Sequence, residues 1–211
     1  MKVLLLNGSP HKNGTTNAVL NITAKFLNEE GIETEIYNLG SNAISGCLGC
    51  AKCRTLGKCF LSDAVNDFVE KASKCDGFIF GAPVHYASIN GNTSAFLDRV
   101  FYSQSGGRNN EVFRLKPASC VVVARRAGTT AAFDQLNKYL SISEMLIVSS
   151  RYWNNVHGAT ASDVLKDEEG IATLQVLAKN MAYTLKLIKA GEDAGVEKPT
   201  ATPKVRTNFI R

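Results

Sequence analysis

Short apolar segments alternate with amphipathic segments along most of the chain, and this alternation limits the possible folds more than any other feature. Five segments are almost continuously apolar, as is typical of strands buried on both faces of a parallel sheet. Five others carry apolar residues at the three- and four-residue spacing of a helix. The pattern predicts a doubly wound α/β domain, in which helices cover both faces of a five-stranded parallel sheet.

The predicted boundaries follow from where the apolar runs are interrupted by Gly, Pro or polar residues. Strands are expected at residues 2–6, 32–38, 76–82, 119–124 and 145–150. Helices are expected at residues 15–30, 65–72 with Ser62 as the N-cap, 93–102, 130–140 and 167–189. Loops are expected at residues 39–61, 103–110 and 152–165. The domain should span residues 1–190, and residues 191–211 should form a C-terminal tail.

The composition limits the function without naming it. The net charge of +5 is not concentrated in a basic stretch with interleaved aromatic residues, so nucleic-acid binding is not expected. No apolar run is long enough to cross a membrane, so no membrane association is expected. The first residues do not form a signal peptide, and the expected location is the cytoplasm. A modest positive charge would offset the charge of anionic cofactors.

The loop after the first predicted strand has the sequence GSPHKNGTT, residues 8–16. Its glycines permit tight turns, and Ser9, Thr15 and Thr16 supply hydroxyl groups. The helix that follows offers free N–H groups and a partial positive charge to a phosphate. The spacing matches neither the dinucleotide fingerprint nor the Walker loop. The sequence favours a phosphate site here over the alternative, an ordinary polar turn.

Two further loops should open at the same edge of the sheet, beyond the carboxyl ends of the strands. The loop after the third strand, GAPVHYASING at residues 81–91, offers the aromatic side chains that a flat ring system needs. His85 beside Tyr86 is either close to a cofactor or an ordinary surface histidine. The fourth strand ends at Arg125 and Arg126, and one of these is expected to face an anionic group.

Four of the six cysteines have the compact spacing C-x2-C-x2-C-x5-C, and they are Cys47, Cys50, Cys53 and Cys59. A close triple with a fourth cysteine nearby is typical of ferredoxin loops and predicts a [4Fe–4S] cluster. Zinc is one alternative, although structural zinc usually takes two separated pairs. Reduced or partly oxidised thiols are the other. The remaining cysteines, Cys75 and Cys120, are expected to be inert core residues.

Taken together, these motifs resemble the iron–sulfur flavoprotein branch of the NADPH-dependent FMN reductase-like family. The resemblance rests on GSPHKNGTT, the four cysteines, GAPVHY and Phe96-Leu97-Asp98-Arg99, and it covers roughly residues 1–190. It implies a flavodoxin-like fold with strand order 2-1-3-4-5 and non-covalently bound FMN. His85 departs from the family pattern, in which a tyrosine or another aromatic residue is expected at this position.

The resemblance also implies which residues hold FMN. Its phosphate and ribityl chain would be surrounded by Ser9, His11, Asn13, Thr15 and Thr16. Its isoalloxazine would be bordered by Pro83, Val84, His85, Tyr86, Arg126, Ala127 and Gly128. The side chains nearest the chemistry would be those of His85, Tyr86 and Arg126, and no acid–base residue is required. Family members form dimers or tetramers that complete the flavin pocket, so a homodimer or homotetramer is expected.

The implied activity is that of an FMN-dependent NAD(P)H oxidoreductase of the flavin or quinone reductase type. A reduced nicotinamide would reduce the flavin, and a small-molecule acceptor would take the electrons. With a cluster present, a ferredoxin-like donor could supply single electrons. The alternative is a flavodoxin-like electron carrier without its own substrate, which the basic charge disfavours. The sequence does not distinguish NADH from NADPH, although Arg108, Arg125 and Arg126 are candidates for contact with a 2′-phosphate.

Overall fold

The computed structural model describes residues 1–107 and 110–202, together with residues 205, 207 and 209, so Arg108 lies outside the described part. The strands are β1 Lys2–Asn7, β2 Glu33–Asn38, β3 Gly77–His85, β4 Ser88–Ile89, β5 Pro117–Ala124, β6 Leu146–Ile147 and β7 Asn155–His157. The helices are α1 Thr15–Glu29, α2 Cys53–Leu56, α3 Ala64–Ala72, α4 Gly91–Gly107, α5 Thr129–Ile142 and α6 Glu168–Asp193, with a 3-10 turn at Val164–Lys166.

The strands form a sheet with the order β2-β1-β3-β5-β6. Every pair along this path is parallel, as the alternation of strands and helices predicts. The short strand β4 lies off this path, so β5 corresponds to the fourth predicted strand and β6 to the fifth. The observed order is therefore the predicted order 2-1-3-4-5. The flavodoxin-like architecture is therefore confirmed, and its strand order reverses between β1 and β3.

Alternate residues of β1 face opposite layers of helices. Val3 and Leu5 belong to the core that packs against α1 and α6, whereas Leu4 and Leu6 belong to the core beneath α3, α4 and α5. All four side chains are buried. Each contributes roughly 1.5–3 kcal/mol through removal of apolar surface from water. Because both faces of the sheet are covered, the strand has a continuous apolar sequence instead of an alternating one.

The edge of the sheet beside β5 differs from the prediction. The sequence predicts one strand at residues 145–150 and a loop at 152–165, but two short strands share this edge. β6 pairs with Pro117 and Ala118, and β7 pairs with residues 122–124. Between them, the buried Asn154 donates from Nδ2 to Ser119 Oγ and to the Cys120 carbonyl, both at 3.0 Å. Since this side chain replaces part of the backbone ladder, the chain can leave the sheet and return.

The predicted loop at residues 103–110 is wrong over its first half, because α4 continues to residue 107. The Ser103 hydroxyl donates to the Val100 carbonyl at 3.0 Å, so a buried polar side chain is satisfied within the helix. The N-cap of α3 is Asp63, not Ser62, and its carboxylate accepts from the Val65 N–H at 3.2 Å. Among the described residues, no helix has the length and apolar character needed to cross a membrane.

Candidate cofactor site

The carboxyl ends of β1, β3 and β5 lie side by side and carry three loops. The first loop comprises residues 8–14, the ring hairpin residues 84–89 and the third loop residues 125–128. The first loop contacts β3, since Gly8 N donates to the Gly81 carbonyl at 2.9 Å. The third loop contacts the ring hairpin, since a Cβ on Gly128 would lie 3.0 Å from Val84 Cγ1. The structure thus brings together the three loops that the sequence singles out.

The first loop is shaped by hydrogen bonds among its own residues. The Asn7 side chain accepts from Ser9 N at 3.1 Å, and Ser9 Oγ accepts from His11 N at 3.1 Å. Ser9 is buried, whereas His11 and Asn13 are exposed. Ser9 therefore fixes the turn, and the side chains of His11 and Asn13 are accessible to a ligand.

The start of α1 has the properties of a phosphate site. Its N-cap is Gly14, no side chain caps it and its first turn holds no acidic residue. A Cβ on Gly14 would lie 3.0 Å from His11 Cβ, so a larger residue would crowd this turn. The Thr16 hydroxyl is buried and has no hydrogen-bond partner within the described residues, and Thr15 is half-buried beside it. These donors and the helix dipole fit the phosphate of FMN.

Gly8 is the point where the first loop, β3 and α4 approach most closely. A Cβ at this position would lie 2.3 Å from Thr93 Oγ1 and 3.0 Å from the Gly81 carbonyl. The Gly8 carbonyl accepts from Asn90 Nδ2 at 3.0 Å and from Thr93 Oγ1 at 2.7 Å. Two buried side chains of the α4 N-terminal region thus hold the first loop against the sheet.

The segment after Ala82 is a strand and a hairpin, not the loop that the sequence predicts. β3 continues through Pro83 to His85, because β4 folds back on it and pairs Val84 with Ile89. The two turn residues, Tyr86 and Ala87, have φ of 51° and 59°, a left-handed conformation that L-residues avoid. Tyr86 is fully exposed at 105%. The hairpin therefore presents two aromatic side chains to solvent on a strained turn.

The hairpin is held in this conformation from α5. Gln135 Oε1 accepts from Ser88 Oγ at 2.6 Å and from Ile89 N at 3.1 Å. Gly128 adopts φ of +91°, and a Cβ there would lie 2.7 Å from Ala87 Cα. Contacts from α5 and the third loop thus compensate for the strain of the turn.

In the third loop, the predicted site residues Arg126 and Ala127 are exposed to solvent, and so is Arg125.

We expect the Ala87→Gly substitution to raise the free energy of unfolding of the apoprotein by roughly 0.5–1 kcal/mol. The gain arises because glycine adopts a positive φ without the steric cost that alanine bears, partly offset by its greater entropy in the unfolded chain. Urea denaturation measures the change. Ala127→Gly in the exposed third loop is the control. It should not raise the free energy of unfolding, because Ala127 does not have a positive φ. Equal or lower stability of Ala87→Gly would contradict the assignment of strain to this turn.

The cysteine loop, residues 39–61, leaves the carboxyl end of β2 beside the first loop. Cys47 and Cys50 are exposed, Cys59 is half-buried and Cys53 is buried at the start of α2. All four line one pocket, together with Phe60 and other residues. Within the described residues, however, no three Cys, His, Asp or Glu side chains are arranged to hold a metal ion. The donor set fits a thiolate-ligated group, and its sulfurs must converge further to bind one.

Burial raises the pKa of the Cys53 thiol, and the proximity of the other three cysteines adds to this rise. Without a bound cation, this thiol therefore remains protonated at neutral pH. The loop reaches Cys50 and Cys53 through left-handed residues, Gly49 and Ala51, at φ of 62° and 57°. Cys75 and Cys120 are buried and lie outside this pocket, as predicted.

The start of the cysteine loop is held by α4. Asn92 accepts at Oδ1 from Ile44 N at 2.9 Å and donates from Nδ2 to the Asn42 carbonyl at 2.9 Å. Two turns later on the same helix, Arg99 donates to the Ser45 carbonyl and to Cys59 Sγ. The helix that fixes the first loop therefore also fixes the cysteine loop.

Several positioning residues escape sequence reasoning. Asn92, Thr93 and Gln135 lie on helices, where polar side chains ordinarily face solvent, and only the tertiary structure shows what they contact. A partial signal exists in the run Asn90-Gly91-Asn92-Thr93, because three polar side chains at the start of one helix exceed what capping requires.

The comparisons with known proteins agree with this geometry. The model of the NADPH-dependent FMN reductase family matches residues 1–160. An iron–sulfur flavoprotein of Methanocaldococcus jannaschii is 29% identical over 194 residues, which cover 90% of this chain and 100% of that protein.

Solved structures show the same fold. RosB, crystallised with 8-demethyl-8-formylriboflavin-5'-phosphate, has a TM-score of 0.70 and 14% identity, over 100% of this chain and 92% of that one. A flavodoxin from the domain Archaea has a TM-score of 0.57 and 12% identity, over 88% and 99%. The resemblance read from the motifs is thereby confirmed. The chain belongs to the NADPH-dependent FMN reductase family and is a flavoprotein oxidoreductase that binds FMN.

Proposed function

We propose that this chain is an FMN-dependent NAD(P)H oxidoreductase whose cysteine loop carries a [4Fe–4S] cluster. The observation that carries the flavin site is the uncapped start of α1, where the Thr16 hydroxyl is buried without a partner among the described residues. A phosphate monoester at this position would satisfy that hydroxyl and the first N–H groups of the helix.

The predicted site residues divide into two groups. Ser9, His11, Asn13, Thr15 and Thr16 would hold the phosphate and ribityl chain, and Pro83, Val84, His85, Tyr86, Arg126, Ala127 and Gly128 would border the ring. When bound, FMN accepts a hydride from a nicotinamide and releases electrons singly or in pairs. With FMN bound, His85 and Tyr86 on the strained hairpin would border the ring, and Arg126 would stabilise negative charge that develops on it.

For the cysteine loop, the proposal follows from the donor set. Cys47, Cys50, Cys53 and Cys59 line one pocket, and four thiolates at this compact spacing suit an iron–sulfur cluster better than zinc. The iron–sulfur flavoprotein relative supports the same choice. Zinc and free thiols are the competing outcomes, and analysis of bound metal distinguishes them.

A ferredoxin-like donor fits the surface of the cysteine loop. Residues 39–62 contain no Asp or Glu, and they include the exposed Lys52 and Lys58. Leu48 and Leu56 are exposed on the same loop. A basic surface with apolar residues beside a redox centre is complementary to a small acidic electron-transfer protein. We propose that single electrons enter here.

Anaerobic stopped-flow spectroscopy tests the proposed activity. We expect NADH or NADPH to bleach the flavin absorption within seconds at millimolar concentration, on the scale of ordinary enzyme turnover. A reduced ferredoxin should also reduce the protein, with a rate constant that falls as salt screens the charges. Lys52→Gln/Lys58→Gln should slow reduction by ferredoxin several-fold and leave reduction by the nicotinamide unchanged. Bleaching by neither nicotinamide would instead support the flavodoxin-like carrier.

We also propose that the chain assembles as a homodimer or homotetramer. Apolar side chains are exposed along the β6–β7 edge, namely Ile147, Tyr152 and Trp153. Several exposed apolar side chains on one surface commonly mark a contact between subunits. Sedimentation equilibrium decides the point, and a monomer at micromolar concentration would contradict it.

A further inference from the structure

Arg99 is a buried cation that is enclosed by the cysteine loop. The residue is 2% exposed. Its guanidinium donates to Cys59 Sγ from Nε at 3.4 Å and from Nη2 at 3.3 Å. It also donates to the Asp63 carboxylate at 2.6 and 2.9 Å and to the Ser45 carbonyl at 3.3 Å. One side chain on α4 thus connects both ends of the loop that carries the four cysteines.

The orientation of this guanidinium is fixed by its surroundings. Asp63, which receives the bidentate pair, also caps α3 by accepting from Val65 N at 3.2 Å. A planar guanidinium held on one edge by a carboxylate cannot rotate without breaking several hydrogen bonds. Arg99 is desolvated, whereas the Asp63 side chain is 32% exposed and stays partly hydrated. An ion pair of this kind is weak evidence for a role in stability, because the cost of desolvating the charges offsets their attraction.

We propose that Arg99 is a positioning residue for the cysteine site, which fixes the Cys59 sulfur and favours extra negative charge on the group that the four sulfurs hold. The inference rests on the proposed function of the cysteine loop. Hydrogen bonds to ligating sulfur and local charge are among the factors that set the reduction potential of an iron–sulfur cluster. One-electron reduction adds one negative charge to the cluster, and a fixed cation 3.3 Å from a ligand sulfur stabilises that product.

The first test is a redox titration of the reconstituted holoprotein. At a fixed potential, Arg99→Gln should lower the ratio of reduced to oxidised cluster about tenfold, which corresponds to about 59 mV for a one-electron couple. Arg99→Lys keeps the positive charge but loses the planar guanidinium and its bidentate hydrogen bonds. Its reduction potential should therefore lie between those of the wild type and Arg99→Gln. Arg54→Gln is the matched control, since Arg54 is exposed on the same loop. An unchanged potential in Arg99→Gln would overturn the proposal.

The second test does not require a cluster. The apoprotein is titrated anaerobically with Co²⁺, whose thiolate charge-transfer absorption reports sulfur ligation. We expect Arg99→Gln to weaken Co²⁺ binding at least about tenfold, as is common when a ligand loses its hydrogen-bond partner. In a Cys59→Ala background the same substitution should have almost no further effect, because alanine offers no acceptor at this position and the contact is already lost. Full additivity of the two substitutions would contradict a role through Cys59.

The two tests separate the proposals. One outcome is that iron and sulfide are never incorporated while the effects of the Arg99 and Cys59 substitutions on Co²⁺ binding are not additive. In that case the cluster is refuted and the role of Arg99 stands. If a cluster forms and its potential does not respond to Arg99→Gln, the role of Arg99 is refuted alone. If the wild-type protein incorporates no cluster and binds no Co²⁺ through sulfur, both are refuted. Thermal unfolding identifies a misfolded variant, and Arg99→Lys then serves in place of Arg99→Gln.

Discussion

We expect Gly8→Ala to weaken FMN binding about 10- to 100-fold. The new Cβ would meet Thr93 Oγ1 at 2.3 Å, Thr93 Cγ2 at 2.9 Å and the Gly81 carbonyl at 3.0 Å. Overpacking of this kind costs typically 1–3 kcal/mol, and each 1.4 kcal/mol corresponds to about tenfold in affinity. The strain falls on the loop that positions the phosphate. Quenching of FMN fluorescence on titration with apoprotein gives the dissociation constant.

Gly91→Ala is the matched control for this substitution. Gly91 is the first residue of α4, and an added Cβ there meets no atom within 4 Å. Its affinity for FMN should therefore equal that of the wild type. Adding Thr93→Ala to Gly8→Ala removes the two closest contacts and should recover part of the loss. Wild-type affinity in Gly8→Ala would show that this approach of loop, sheet and helix does not shape the flavin site.

Replacing Cys53 with alanine is expected to reduce the iron content of anaerobically purified protein at least about tenfold. Cys53 is the buried member of the four cysteines that line this pocket. A cluster left with three thiolates loses one bond to the protein and becomes open to solvent on that side. Iron and acid-labile sulfide assays measure the loss, and the FMN content should stay unchanged because the flavin loops are separate.

Cys75→Ala controls for the removal of a buried thiol. Cys75 is buried just before β3, at the opposite end of that strand from the ring hairpin. Its thiol donates to the Lys71 carbonyl at 3.4 Å. This variant should retain its iron. If Cys53→Ala also retained full iron and sulfide, Cys53 would not be a cluster ligand.

Local sequence was sufficient to predict the central strands and the loops after β1 and β5, but not the hairpin after β3. A run such as Val3 to Leu6, apolar on both faces, is typical of a covered parallel sheet, and its alternation with helical segments then indicates the architecture. The carboxyl edge of such a sheet is then the expected ligand site. The density of Gly, Ser and Thr after β1 identified the loop at the start of α1, where the structure has an uncapped helix terminus.

The errors arise where tertiary contacts replace local signals. Pro83 is expected to end a strand, but β3 passes through it because β4 pairs with the continuation. The interruption between β6 and β7 depends on Asn154, whose hydrogen bonds to Ser119 and Cys120 cross more than thirty residues of chain. No periodicity within a short window contains that information.

The same limit applies to the sites. The motif Phe96-Leu97-Asp98-Arg99 contributed to the resemblance, yet nothing in it shows that Arg99 contacts Cys59, forty residues away. The four cysteines were identified by spacing alone, but the spacing did not predict that Cys53 is buried while Cys47 and Cys50 are exposed. Which thiol is accessible depends on the packing of α2 against α4.

The most direct test of the central claim is the cofactor content of protein that is purified and reconstituted without oxygen. The account predicts one FMN together with about four iron and four sulfide per chain, and broad absorption near about 400 nm beneath the flavin bands. FMN without iron and sulfide would leave a plain flavin reductase and refute the cluster. Failure to bind FMN even when it is added in excess would contradict the account as a whole.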